Sequence, residues 1–141
     1  MQQYIQFIQN HLLLCAAAII ALVAIIVEEI RGKISGTPRL NPQEATFLIN
    51  RENAVICDLR KNAIFSGGHI LGSINIERES VDAHIKKLEA HKSNPIILVD
   101  DIEANAVAVG NKLVKQGFAK INILAGGMVA WKDAHLPLSK K

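Results

Sequence analysis

Hydrophobic positions fall into two regimes along the chain. Residues 12–27, "LLLCAAAIIALVAIIV", run sixteen positions with no polar side chain other than the Cys15 thiol, so a helix built from them has no polar face. Every charged side chain lies at Glu28 or later. Sixteen helical residues rise roughly 24 Å, slightly short of a bilayer core of about 30 Å. Tyr4, Ile5, Phe7 and Ile8 extend the run upstream without adding charge. The pattern predicts an amino-terminal transmembrane anchor over residues 1–28, with residues 4–27 in the lipid bilayer. A cleaved signal peptide is a poorer fit, because no Lys or Arg precedes the apolar run and "EEIRGK" follows it. Arg31, Lys33 and Arg39 flank only the carboxyl side. The positive-inside bias therefore predicts a single-pass protein with its amino terminus outside and the following domain in the cytoplasm.

Beyond a juxtamembrane tether at residues 29–39, interrupted by "SGTP", the pattern alternates between strand and helix over residues 40–138. Residues 139–141 form a short basic tail. "NPQEATFLIN" predicts a helix, with Asn41 as cap, Pro42 at the first position and Glu44 closing a capping box. "AVICD" (54–58) and "PIILVD" (95–100) read as strands covered on both faces. Between them "SVDAHIKKLEAHK" predicts a helix capped by Ser80, with Val81, Ile85 and Leu88 inward. "ANAVAVGNKLVKQGF" predicts a helix with Val109 and Leu113 inward that stops at Gly117. "KINIL" is the next strand and "VAWKDAHL" a last short helix. The alternation predicts an α/β domain with a mainly parallel sheet, whose chemistry collects at the carboxyl ends of the strands, near Asp58 and Asp100.

Composition narrows the partners. Sixteen Lys and Arg stand against 13 Asp and Glu, and no basic stripe with interleaved aromatics tracks a nucleic-acid backbone. Two cysteines, Cys15 and Cys57, match neither a disulfide framework nor a metal knuckle, which suits a reducing compartment. No cofactor or metal is expected.

Three stretches together resemble the rhodanese-like family of sulfurtransferase domains: "VICDLRKNAIFSGGHILGSINI", the segment from Pro95 to Phe118, and "LAGGMVAWKDAHLPL". The specific elements are Asp58-x-Arg60, the series from Phe65 to Asn75 containing Gly68-His69-Ile70, and Gly126-Gly127 followed by Trp131 and Leu136-Pro137. With the apolar segment ahead of it, the whole chain resembles the YibN group of membrane-anchored bacterial rhodanese-like proteins. The resemblance implies about five mainly parallel strands flanked by helices. It also implies a cysteine after the "PIILV" strand that carries sulfane sulfur as a persulfide, seated among inward-pointing amides and a helix amino terminus.

This chain departs from that pattern. Its loop reads Asp100, Asp101, Ile102, Glu103, Ala104, Asn105, Ala106, without cysteine, and no Arg or Lys lies between Lys92 and Lys112. At 4 Å, two unit charges interact by about 4 kcal/mol at an effective dielectric of 20, so these acids oppose an anionic sulfur donor. Their simplest role is to complement the positive end of the helix starting near Ala104; a general base or divalent-metal site is the sharper alternative. Asp58 and Arg60 are expected to brace the loop, with Arg60 able to meet an anion at its mouth. His69 reads as a structural histidine bonded to backbone or to Asp58 rather than an acid-base group. The expectation is a membrane-tethered, catalytically degenerate module that binds or scaffolds a protein partner. The alternative is a sulfurtransferase acting as a persulfide carrier through Cys57 or a partner's cysteine.

Overall fold

The computed structural model describes residues 1, 7, 10–34 and 36–140, with backbone alone at residues 28–34. The chain divides into two compact units, Met1–Gly36 and Thr37–Lys141.

In the first unit a 23-residue helix, α1 (Leu12–Ile34), carries the apolar run. Leu13 and Ile20 are 88% and 69% exposed, and Cys15 is half-buried. The transmembrane anchor predicted from the sequence is not found as such. Among the described residues no helix is long and apolar enough to cross a membrane; the uninterrupted apolar run covers residues 12–27. Tyr4, Ile5 and Ile8, which were to lengthen the run, lie outside the described residues, as do the side chains of Arg31 and Lys33 that set the predicted orientation. Helix α1 continues into the stretch read as a tether, as far as Ile34, and the first proline comes only at Pro38.

The second unit is a five-stranded parallel sheet covered on both faces. In chain order its elements are β1 (Arg39–Leu40), α2 (Pro42–Glu52), β2 (Val55–Asp58), α3 (Asn62–Gly67), β3 (His69–Ile70), β4 (Ile74–Asn75), a 3-10 turn (Arg78–Ser80), α4 (Val81–Glu89), β5 (Ile96–Val99), α5 (Glu103–Lys115), β6 (Ile121–Leu124), α6 (Gly127–Asp133) and β7 (Leu138–Ser139). The sheet order is β1-β6-β5-β2-β4, and β3 pairs with β7 as a separate antiparallel ribbon. That ribbon and strand β4 were not anticipated; at two residues each they leave no period to read.

Strand periodicity of two sorts the core into two layers. Cys57, Leu98 and Ile123 face one side with Val81 and Leu88 of α4 and Val109 and Leu113 of α5. Ile56, Ile97 and Leu124 face the other with Ala45 of α2 and Met128 and Trp131 of α6. Burial on both faces is why these strands read as unbroken apolar runs. Helix α2 starts with the full capping box: Glu44 N–H donates to Asn41 Oδ1 at 2.9 Å, and Asn41 N–H donates to Glu44 Oε2 at 2.8 Å. Ser80 stands at the N-cap of α4 as predicted, but its side chain makes no capping bond to the helix. Its hydroxyl donates back to the Glu77 carbonyl at 3.1 Å, within the preceding 3-10 turn.

Register then places the loops. Asp58 lies level with Val99 in the β2–β5 pair, so the loops beginning at Leu59 and Asp100 leave the sheet side by side. Gly126 and Gly127 bring the end of β6 against the second of them. Gly127 has φ +56°, and a Cβ there would lie 2.2 Å from the Asp100 carbonyl oxygen. Replacing Gly127 by Ala is expected to cost about 2–4 kcal/mol through the clash and the left-handed backbone. Gly67→Ala, where a Cβ meets nothing within 4 Å, stays within about 1 kcal/mol of wild type. Urea unfolding of the full chain measures both.

Candidate functional site

Three strand ends build one cleft of about 190 Å³. Leu59, Arg60, Lys61 and Ile64 come from the β2 side, Arg78 and Glu79 from the turn after β4, and Asp100, Asp101, Ile102 and Asn105 from the β5–α5 connection. Cations therefore reach this place from neighbouring loops, although no Arg or Lys lies between Lys92 and Lys112 in the chain. Arg60, Lys61 and Arg78 all line it. Lys61, Arg78 and Glu79 were not singled out from the sequence, whereas Asn105 belongs to the acidic loop read there. The signal for Arg78 was available: it sits just beyond the carboxyl end of Ile74–Asn75, once that pair is counted as a parallel strand.

Beneath the cleft, Asp58 and Arg60 form a buried pair. Arg60 Nη2 donates to Asp58 Oδ2 at 2.6 Å and its Nε to Oδ1 at 2.9 Å, while the Arg60 backbone N–H donates to Oδ1 at 3.0 Å. The same Nη2 donates to the Gly68 carbonyl at 2.9 Å. Burial by itself lowers the Arg60 pKa, but the hydrogen bonds and charge of Asp58, together with the charges of Asp101 and Asp100, outweigh it and raise the pKa above the ordinary arginine value. Removing one member of such a pair strands the other charge out of water, at about 3–5 kcal/mol. Asn75 completes the brace, its side-chain amide donating to the Asp58 and Arg60 carbonyls at 3.1 and 2.8 Å. Arg60 is thus committed to Asp58 and Gly68 rather than extended toward a ligand.

His69 is 6% exposed and is not among the cleft-lining residues. Its Nδ1 lies 2.8 Å from the Phe65 carbonyl, which can only accept, so Nδ1 carries the proton. The ring stacks on Phe65 at 3.9 Å between centroids, 12° from parallel. This geometry fixes the turn between α3 and β3, and the partner is backbone rather than Asp58.

The acidic loop divides its carboxylates among distinct tasks. Asp100 is buried, and its Oδ1 accepts from the Ile102 N–H at 3.0 Å, at the residue that caps α5. Its Oδ2 lies 3.9 Å from Arg78 Nη1, and Arg78 Nη2 donates to Glu79 Oε1 at 3.0 Å. Glu103 pairs with Arg39 Nε at 2.6 Å, and its other oxygen accepts from Gly126 N–H at 3.4 Å. Helix α5 accordingly starts at Glu103, one residue before the sequence suggested. Ala104 lies in its first turn, and Ala106 is buried in the core. Asp101 is exposed, with neither a hydrogen bond nor an ion pair to its carboxylate among the described residues. Among those residues no three His, Cys, Asp or Glu side chains gather as metal ligands.

Cys57, the candidate relocated sulfur carrier, lies in the core with no exposed surface and does not line the cleft. Burial first, and the Asp58 charge second, push its thiol pKa up to about 12. At neutral pH the thiol therefore stays protonated, and the thiolate is the form that attacks sulfur. This geometry weighs against Cys57 as a persulfide carrier.

A family model for the rhodanese-like domain matches residues 41–134. The uncharacterized protein YibN of Escherichia coli K12 is 39% identical over 98% of this chain and 97% of its own length. The thiosulfate sulfurtransferase GlpE of Pseudomonas putida F1 is 28% identical over 69% of this chain and 86% of its own. Among solved structures, the rhodanese-like domain of the Alr3790 protein from Anabaena superposes with a TM-score of 0.64 at 25% identity, covering 74% of this chain and 80% of that one. A domain match from the Asn41 helix cap to the final helix, on a parallel sheet whose loops converge as described, places this chain in the rhodanese-like domain family, with homology to sulfurtransferases.

Proposed function

We propose that the chain is a catalytically degenerate rhodanese-like module that binds or scaffolds a protein partner instead of transferring sulfur. The observation that carries this reading is the Asp100 carboxylate on the Ile102 amide. An amide at the entrance to α5 that could meet an anionic sulfur species already holds a negative charge from the chain itself, and Asp101 adds a second beside it. No cleft-lining residue is a cysteine, and Cys57 lies inside the core. Phosphatase chemistry on this loop would need a loop thiol as well. The rival reading, a persulfide carrier working with a partner's cysteine, draws on the relatedness to the Pseudomonas putida sulfurtransferase.

The same proposal places the module at a lipid bilayer through α1, on the cytoplasmic face of a bacterial inner membrane. Support comes from side chains that are apolar and exposed along residues 12–27, surface that water does not favour at roughly 25 cal/mol per Å². The basic flank of Arg31 and Lys33 supports the cytoplasmic side. Attachment raises the local concentration of the module toward membrane-bound partners without any further contact.

Two experiments test these statements. Purified full-length chain is expected to form no thiocyanate from thiosulfate and cyanide above the buffer rate. Turnover that persists in Cys57→Ser contradicts the degenerate reading, whereas turnover lost in that variant revives Cys57 as carrier. In cells, the chain is expected in the membrane pellet after carbonate extraction. A variant with residues 12–27 replaced by a polar sequence is expected in the supernatant, and equal release of both chains refutes attachment through α1.

A further inference from the structure

Resting on that reading, we propose that the cleft receives a basic side chain of a partner polypeptide, with an apolar neighbour packed on its rim. Two independent features point there. Two apolar side chains at the cleft, Ile64 and Ile102, are 49% and 61% exposed. Between the charged groups the pairing is incomplete. Arg60 is neutralised by Asp58, and Arg78 by Glu79 at 3.0 Å. With Asp58 counted beneath the cleft, four carboxylates (Asp58, Glu79, Asp100, Asp101) meet three cations (Arg60, Lys61, Arg78), one negative charge in excess, and Asp100 also lies 3.9 Å from Arg78. Asp100 spends one oxygen on the Ile102 amide, so Asp101 is the carboxylate open to an incoming donor.

An anion meets this excess charge and an amide already occupied. A lone small cation gains Asp101 but leaves Ile64 and Ile102 in water. A polypeptide segment with a guanidinium or ammonium beside an aliphatic side chain satisfies both, in the pattern by which interfaces combine a few apolar anchors with a complementary charge.

The probes are two capped tripeptides, acetyl-Ala-Arg-Leu-amide and acetyl-Ala-Glu-Leu-amide, titrated into isotopically labelled full-length chain in detergent micelles. The arginine peptide is expected to shift the amides of Asp101, Ile102 and Asn105 saturably. Its binding should weaken about threefold in Asp101→Asn, the size of one partly exposed ion pair, and weaken again as salt is raised. Ile64→Ser should weaken it further. The inference is overturned if the glutamate peptide binds as well, if Asp101→Asn leaves the arginine peptide unchanged, or if no saturable shift develops. Thiocyanate formation measured on the same sample separates the two claims. An inactive chain that ignores the arginine peptide removes this inference alone, while a Cys57→Ser chain that turns over removes the reading beneath it.

Discussion

An internal carboxylate on a helix-entry amide organises this cleft. Asp100 Oδ1 accepts from Ile102 N–H at 3.0 Å while its Oδ2 lies 3.9 Å from the Arg78 guanidinium. The contact satisfies an amide that the start of α5 leaves without a helical partner, and it puts a negative charge at the positive end of the helix. An external anion would have to displace a buried group and then tolerate Asp101 at close range. On the proposed reading, the same bond that stabilises the loop disfavours an anionic sulfur species at this amide.

The frame itself depends on register and on one buried pair. Because Asp58 lies level with Val99, the loops after β2 and β5 emerge as neighbours. Because Asp58 holds Arg60 through backbone and side chain together, the first of these loops has little freedom. Gly127 then abuts the Asp100 carbonyl, at a point where any Cβ would collide. Stability and site geometry thus share the same few contacts, around a loop that carries carboxylates and no cysteine.

Much of this was legible in the residues. The capping box at Asn41, the runs at Val55–Asp58 and Ile96–Val99, and the inward Val109 and Leu113 follow from periodicity and cap chemistry, which are local. The missing thiol was equally plain. What sequence concealed was convergence: Arg78 is 22 positions from Asp100 along the chain, and strand β4, which delivers it, has only two residues. The β3–β7 ribbon was hidden for the same reason. Side-chain commitments were also out of reach, since nothing in the spelling "DDIE" tells that Asp100 turns inward to its own loop, that Glu103 reaches Arg39, and that Asp101 faces solvent. For the amino-terminal segment the apolar run suggested a spanning helix, whereas no helix among the described residues is long and apolar enough to cross a membrane, and α1 continues beyond the run to Ile34.

The most direct test of the occupied seat is thiosulfate itself, titrated into labelled full-length chain while the Ile102 amide resonance is followed. No saturable shift is expected in the wild type, and a saturable one in Asp100→Ala, where the seat is vacated. A saturable Ile102 shift in the wild type, equal to that of the variant, would contradict it.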